Sequence, residues 1–253
     1  MNPDLELLRT LGNAAASVPV ALPAGVPDPA AARIRLENRI PALTGEPLLD
    51  WEGLLRSVAH LETALAGAGT PGLARVAESL ALFDPTARER CLAAALASPE
   101  DAAPGESGDT ARVALLLDWA ARPFLRAAAA ALGSVLEGAW RRGRCPACGA
   151  PPALSVVSGK ERSRRLVCGR CLTGWGYPRS RCPGCGETRH DQLGYLHAPG
   201  EGEYRRAEVC DTCGTYVKSV TLLDPPGADR LLALDLETVA LDFAALDGGY
   251  ARV

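Results

Sequence analysis

The chain has 253 residues, 47% of them apolar, and a formal charge of −3, enough for one large domain or two modest ones around a sizeable core. No apolar run reaches membrane-spanning length, because Arg112, Asp118, Arg122, Arg126 and Glu137 break the most apolar stretch, so membrane insertion is not expected. The opening Met1-Asn2-Pro3-Asp4-Leu5-Glu6 is acidic and lacks the basic and apolar regions of a secretory signal; the expectation is a cytoplasmic chain with reduced cysteines.

Residues 12–28 are rich in Pro, Ala and Val and read as an extended segment around Pro19, Pro23 and Pro27. Asp28-Pro29 supplies an N-cap and then proline at the first helical position, which predicts a helix to about Ile40. A second helix is predicted over 48–65, where Trp51, Leu54, Leu55, Val58, Leu61 and Leu65 recur at three and four. Residues 73–83 read as a short helix, Asp84-Pro85 repeats the cap before a helix to about Ala97, and 98–108 read as a loop. From Asp109 or Thr110 an Ala- and Leu-rich helix runs to near Trp140, with a bend expected at Pro123. Residues 1–140 are therefore expected to form an all-helical domain.

Composition changes at Arg141-Arg142-Gly143. Eight of the nine cysteines then fall in four Cys-x-x-Cys pairs: Cys145 with Cys148, Cys168 with Cys171, Cys182 with Cys185, and Cys210 with Cys213. A two-residue spacing lets both thiolates of a tight turn point at one ion, and the glycines that follow three pairs (Gly149, Gly186, Gly214) allow a positive φ. Each turn supplies half a tetrahedron, so four turns make two four-cysteine metal sites. Residues 153–157 and 164–167 are β-like around Ser158-Gly159-Lys160, and 192–197 and 204–209 repeat the pattern, so a hairpin lies inside each successive pair of knuckles.

Joining first with second and third with fourth knuckle leaves 19 and 24 intervening residues, against 33 and 38 for a cross-braced arrangement. Loop entropy separates the two by less than ~1 kcal/mol. The enclosed hairpins favour sequential pairing. Two zinc-ribbon or rubredoxin-like modules follow, over 141–181 and 182–227. After them, 215–223 reads as a strand, Asp224-Pro225-Pro226-Gly227 as a turn, and 228–246 as a terminal helix in a 228–253 segment packing back on the body. The fold class is α+β.

Charge is unevenly spread. Residues 141–181 carry ten basic groups and one acid, where 1–140 carry 11 and 17 and 182–253 carry 6 and 12. Arginines beside thiolates offset their charge; the same stretch also suits an anionic partner, protein or nucleic acid. Trp175, Tyr177 and Tyr216 lie beside knuckles, as covers for the metal sites or, with Arg179, as a partner surface. Cys91 reads as a small buried helix residue, His60, His190 and His197 as non-ligands, and Trp119 and Trp140 as core. Lys218 reads as solvated, and Asp224, Asp235 and Asp242 as surface or cap acids. No Ser-His-Asp set, Walker loop or Gly-x-Gly-x-x-Gly fingerprint argues for hydrolytic or nucleotide chemistry.

Several stretches together resemble the formate dehydrogenase accessory proteins of the FdhE type. They are Cys145-Pro-Ala-Cys-Gly-Ala-Pro-Pro, Leu166-Val-Cys-Gly-Arg-Cys-Leu-Thr-Gly-Trp-Gly-Tyr-Pro-Arg-Ser-Arg-Cys-Pro-Gly-Cys-Gly, Glu208-Val-Cys-Asp-Thr-Cys-Gly-Thr-Tyr-Val-Lys and the tail Asp235-Leu-Glu-Thr-Val-Ala-Leu-Asp with Gly249-Tyr250. The resemblance implies a cytoplasmic maturation factor, not an enzyme, whose partner is the catalytic subunit of formate dehydrogenase before export. It implies the eight knuckle cysteines as ligands of two metal ions, iron being favoured and zinc the alternative. A redox role on the client's centre is the competing reading, and a nucleic-acid ribbon or thiol–disulfide exchange comes after it; homodimerisation stays open. One departure is Gly174, where the family pattern has Glu.

Overall fold

A computed structural model of the protein describes residues 3–68, 76–97, 109–138 and 140–253. The chain divides into two compact units, Met1–Pro29 with Leu43–Leu132, and Ala30–Ala42 with Gly133–Val253.

The first unit is helical: α1 Pro3–Ser17, α3 Trp51–Gly67, α4 Val76–Ala81, α5 Pro85–Leu96 and α6 Asp109–Leu132. Helix α1 occupies part of the stretch expected to be extended. Leu11, Ala14 and Ala15 bury along it, and it ends two residues before Pro19. Asp84 caps α5 as expected, and Asp50 caps α3, which begins three residues later than the expected start at 48. The Asp50 carboxylate accepts from the Gly53 N–H at 2.6 Å and that of Asp84 from the Ala87 N–H at 2.9 Å. The α3 stripe of Leu54, Val58, Leu61 and Leu65 is buried, and the Ser57 hydroxyl donates to the Ala120 carbonyl of α6 at 2.9 Å. Pro123 lies inside α6, which closes as a 3₁₀ turn, Gly133–Glu137. The predicted loop over 98–108 falls outside the described residues.

The second unit is built on one mixed sheet. Its strands are β1 Pro152–Ser158, β2 Ser163–Cys168, β3 Gly174–Gly176, β4 Leu193–Leu196, β5 Arg205–Cys210, β6 Thr215–Leu222 and β7 Ala251–Arg252. The order is β3-β2-β1-β6-β5-β4, with β7 also on β6. Each knuckle pair encloses a hairpin, β1–β2 or β4–β5, and a third strand follows the second knuckle, so the expected repeat is present. The two repeats, however, are not separate modules. Strand β1 lies parallel to β6, pairing Leu154 with Lys218 through Ser158 with Leu222, which fuses both hairpins into one sheet.

The unit boundaries also differ from the segments 1–140, 141–181, 182–227 and 228–253. The sheet unit takes in the 3₁₀ turn at Gly133 and the stretch from Ala30, which includes nearly all of α2 (Pro29–Glu37). The Ala42 N–H donates to the Pro146 carbonyl at 2.8 Å, tying that stretch to the first knuckle. The terminal helix is two, α7 Ala228–Glu237 and α8 Val239–Asp247. They break at buried Thr238, whose Oγ1 donates back to the Leu234 carbonyl at 2.7 Å. Leu231 and Leu234 of α7 pack on Leu154, Val156, Val167 and Val220; Leu241 and Ala245 of α8 pack on Ala207, Val209 and Tyr216. Two helices thus cover one face of the sheet, one beside each hairpin.

Candidate metal centre

Each Cys-x-x-Cys pair folds as the same turn. The N–H of the residue after the second cysteine donates to the carbonyl of the first: Gly149 to Cys145 at 3.0 Å, Leu172 to Cys168 at 3.2 Å, Gly186 to Cys182 at 3.0 Å and Gly214 to Cys210 at 2.8 Å. The closing residue has φ of +79° at Gly149, +82° at Gly186 and +64° at Gly214. Leu172 adopts the same left-handed conformation at +61°, at a cost of about 1–2 kcal/mol, and packs its side chain on the β1–α7 cluster.

The turns meet in sequential pairs. Cys145, Cys148, Cys168 and Cys171 form one group and Cys182, Cys185, Cys210 and Cys213 the other, with all sulfurs of a group within 4.8 Å of one another. In the first, Cys145 to Cys171 is 3.5 Å, Cys148 to Cys168 3.5 Å and Cys148 to Cys171 3.6 Å. In the second, Cys182 to Cys213 and Cys185 to Cys210 are both 3.7 Å. Sulfurs at the vertices of a tetrahedron about an ion 2.3 Å away would be ~3.8 Å apart. The donor sets fit zinc or iron.

Backbone and side-chain groups steer the sulfurs. The Arg170 N–H donates to Cys168 Sγ at 3.4 Å and the Gly184 N–H to Cys182 Sγ at 3.3 Å. Thr173 Oγ1 is 3.1 Å from Cys171 Sγ, and Thr215 Oγ1 is 3.1 Å from Cys213 Sγ. Sequence reasoning missed both threonines, although their signal was present in the repeated Cys-x-Thr. Within a group the thiols titrate apart. Burial pushes Cys145 up, and Cys210 up to about 12, whereas hydrogen bonds from Cys145, Cys148 and Cys171 pull Cys168 down. A divalent cation would hold all four as thiolates together.

The two sites are unequal. Cys145, Cys168 and Cys171 are buried and Cys148 partly so; at the second site Cys182 and Cys210 are buried, Cys213 is partly so and Cys185 is exposed. The aromatics brace the surrounding loops. Trp175 Nε1 donates to the Arg142 carbonyl at 2.9 Å, Trp140 Nε1 to the Arg144 carbonyl at 2.7 Å, and the Tyr177 hydroxyl to the Cys182 carbonyl at 2.8 Å. Trp175, Tyr177 and Tyr216 are all buried, and Arg179 is exposed. No histidine joins either group among the described residues. His60 Nε2 lies 2.9 Å from Ser17 Oγ, and His190 and His197 are exposed. Cys91 is half-buried rather than buried.

Several basic residues are used internally. Buried Arg164 pairs with Glu208 and donates to Ser155 Oγ, the Pro178 carbonyl and the Arg181 carbonyl. Arg165 donates to the Gly174 carbonyl at 2.7 Å. Lys218 reverses expectation. It is 1% exposed on β6, with Nζ 2.8 Å from Asp235 Oδ1 and 2.6 Å from Asp242 Oδ2. Arg252 of β7 reaches Asp235 Oδ1 at 2.5 Å, and the Tyr216 hydroxyl donates to Asp242 Oδ1 at 2.8 Å. Asp235 and Asp242, one each from α7 and α8, thus anchor both helices to the sheet. The alternation of β6 gave no hint of this, because the partners lie 17 and 24 residues away.

Residues 180–253 match the family described as FdhE, C-terminal domain. A protein FdhE homolog of Stutzerimonas stutzeri is 39% identical over 111 residues, covering 43% of this chain and 35% of that protein. The chain thus spans little more than a third of that relative's length in the match. Protein FdhE of Salmonella choleraesuis is 31% identical over 226 residues, 82% of this chain and 68% of that one. The crystal structure of the FdhE protein from Pseudomonas aeruginosa superposes with a TM-score of 0.66 at 28% identity, covering 98% of this chain and 84% of the other.

Proposed function

The chain belongs to the FdhE family, and from that premise we propose that it is a cytoplasmic, non-enzymatic accessory factor in formate dehydrogenase maturation. Its client is the catalytic subunit of formate dehydrogenase before export. The observation that carries the reading is the pair of four-sulfur groups, each closed on itself and joined through the β1–β6 pair. A four-thiolate set supplies a complete tetrahedron and leaves no position for a substrate or water, which argues for a scaffold over metal-assisted hydrolysis. Cys145, Cys148, Cys168 and Cys171 would hold one ion and Cys182, Cys185, Cys210 and Cys213 the other. Bound there, either ion staples two knuckles; iron would add one-electron chemistry. No helix among the described residues is long and apolar enough to cross a membrane.

The test is capture of the unexported catalytic subunit by the tagged, metal-loaded protein. Retention of the subunit supports the reading, and absence of capture with both metal sites filled refutes it. The exposed Cys185 favours a second reading, electron transfer to the client's redox centre, since one ligand of the second site reaches solvent. Iron at that site with a reversible couple would support it; a colourless zinc protein would eliminate it.

A further inference from the structure

Beside Cys185 the sheet unit carries an open groove of about 830 Å³. It is walled by α2, by the loop leading into the first knuckle, and by the third knuckle, residues 183–186. The loop and knuckle are in close contact: a Cβ on Gly143 would stand 1.7 Å from the Pro183 carbonyl oxygen. Five arginines line the groove, Arg33, Arg39, Arg141, Arg142 and Arg181, and all are exposed. The one acid among the lining residues is Glu37. Such a surplus is maintained in a chain whose formal charge is −3.

We infer that this groove is a docking surface for an acidic, extended segment of a protein partner. The charge ratio selects an anion, and a lining that runs from α2 to the third knuckle with five arginines along it selects a chain over a small ion. Guanidinium groups pair carboxylates in bidentate fashion, so two or three Asp or Glu side chains on one strand of peptide would satisfy the rim. Single-stranded nucleic acid also carries the right sign, but it relies on open aromatic faces for stacking. Here both lining aromatics, Trp140 and Tyr177, are buried, and Arg142 lies over the Trp140 ring. The partly exposed apolar lining is instead aliphatic, from Leu36 and Val135, which suits the side chains interspersed in a peptide. The inference deepens the client-holding reading and rests on it for the partner's identity. Docking at this place would bring the client beside Cys185, the exposed sulfur of the second site.

The experiment uses the full, metal-loaded chain and a fluorescein-labelled octaglutamate peptide, read by anisotropy. Octaglutamine, a short single-stranded oligodeoxynucleotide and the catalytic subunit itself are compared. The triple variant Arg33→Glu, Arg39→Glu, Arg181→Glu is set against Lys160→Glu, Arg162→Glu, a reversal on the exposed β1–β2 turn. The groove variant should lose roughly tenfold or more in octaglutamate affinity, the turn variant should bind like the parent, and octaglutamine should bind neither. Equal peptide binding by the two variants, or tighter arginine-dependent binding of the oligonucleotide, would overturn the inference. So would self-association of the chain abolished by the same triple change. Subunit captured equally by parent and groove variant refutes the groove and leaves the client reading intact. Arginine-dependent peptide binding with no subunit capture keeps the groove and refutes that client.

Discussion

Replacing Lys218 by Met keeps the aliphatic stem and removes one charge from a network that is balanced in the parent. Lys218 and Arg252 face Asp235 and Asp242, at 2.6–2.8 Å for the lysine. In the variant two carboxylates, 22% and 16% exposed, share a single arginine that is itself 37% exposed. Removing one partner from a buried ion pair costs about 3–5 kcal/mol, because the charge left behind stays desolvated. For a chain of this size that corresponds to a fall in Tm of ~6–20 °C. The loss should appear in thermal unfolding of the metal-loaded protein followed by circular dichroism at neutral pH. Adding Asp242→Asn should return ~0.5–3 kcal/mol, since it removes the surplus negative charge. A Lys218→Met protein melting within about 2 °C of the parent would show that the network does not anchor α7 and α8, and the reasoning would fall.

Other outcomes follow from the same geometry. With a limiting thiol reagent or a slow chelator, Cys185 should be the first of the eight knuckle cysteines modified and the second site should empty before the first; mass mapping showing Cys145 or Cys168 labelled earlier would contradict the burial argument. Gly143→Ala should destabilise by at least ~1–3 kcal/mol because backbone stands where its Cβ must go. Gly174→Glu should be tolerated, since a Cβ there meets the Arg165 guanidinium at 3.4 Å and the new carboxylate can pair with it; the two melting temperatures test both together. Burial raises Asp235, but Arg252 and then Lys218 overcome it, and the group titrates below its ordinary value of 3.8. Its depressed value makes its pairing fully stabilising above that ordinary value and lost as pH falls through the lower folded one. Asp235→Asn should therefore be less stable than the parent near neutrality, with the gap closing in strong acid. A gap that widens on acidification would reverse the sign and refute it.

The two four-cysteine groups were legible because their turns are local. A Cys-x-x-Cys turn needs two residues and a left-handed closing position, and the hairpin between knuckles is set by Ser158-Gly159-Lys160 and Pro199-Gly200 in the chain itself. Fusion of the two hairpins was not legible. Parallel pairing of β1 with β6 joins residues 64 apart, and such a pair leaves no turn signature between its strands. Leu172 hid the second knuckle's conformation because packing on the β1–α7 cluster outweighs its backbone preference. Lys218 misled for a similar reason: a lysine in a β-strand is ordinarily solvated, and its two carboxylates arrive from helices that sequence reading ran together as one. Of the aromatics beside the knuckles, Trp175 and Tyr177 turn their indole and phenol donors to loop carbonyls and Tyr216 turns its hydroxyl to Asp242, partners that no local pattern announces.

The most direct test of the central claim is metal content per chain, measured by elemental analysis on anaerobically purified parent, Cys145→Ser/Cys168→Ser and Cys182→Ser/Cys210→Ser proteins, with visible spectra alongside. Sequential pairing requires two ions in the parent and one in each double variant, with the remaining site undisturbed. A double variant that loses both ions would mean that the knuckles pair across the repeats. A parent with no tightly held metal and oxidised cysteines would contradict the account outright.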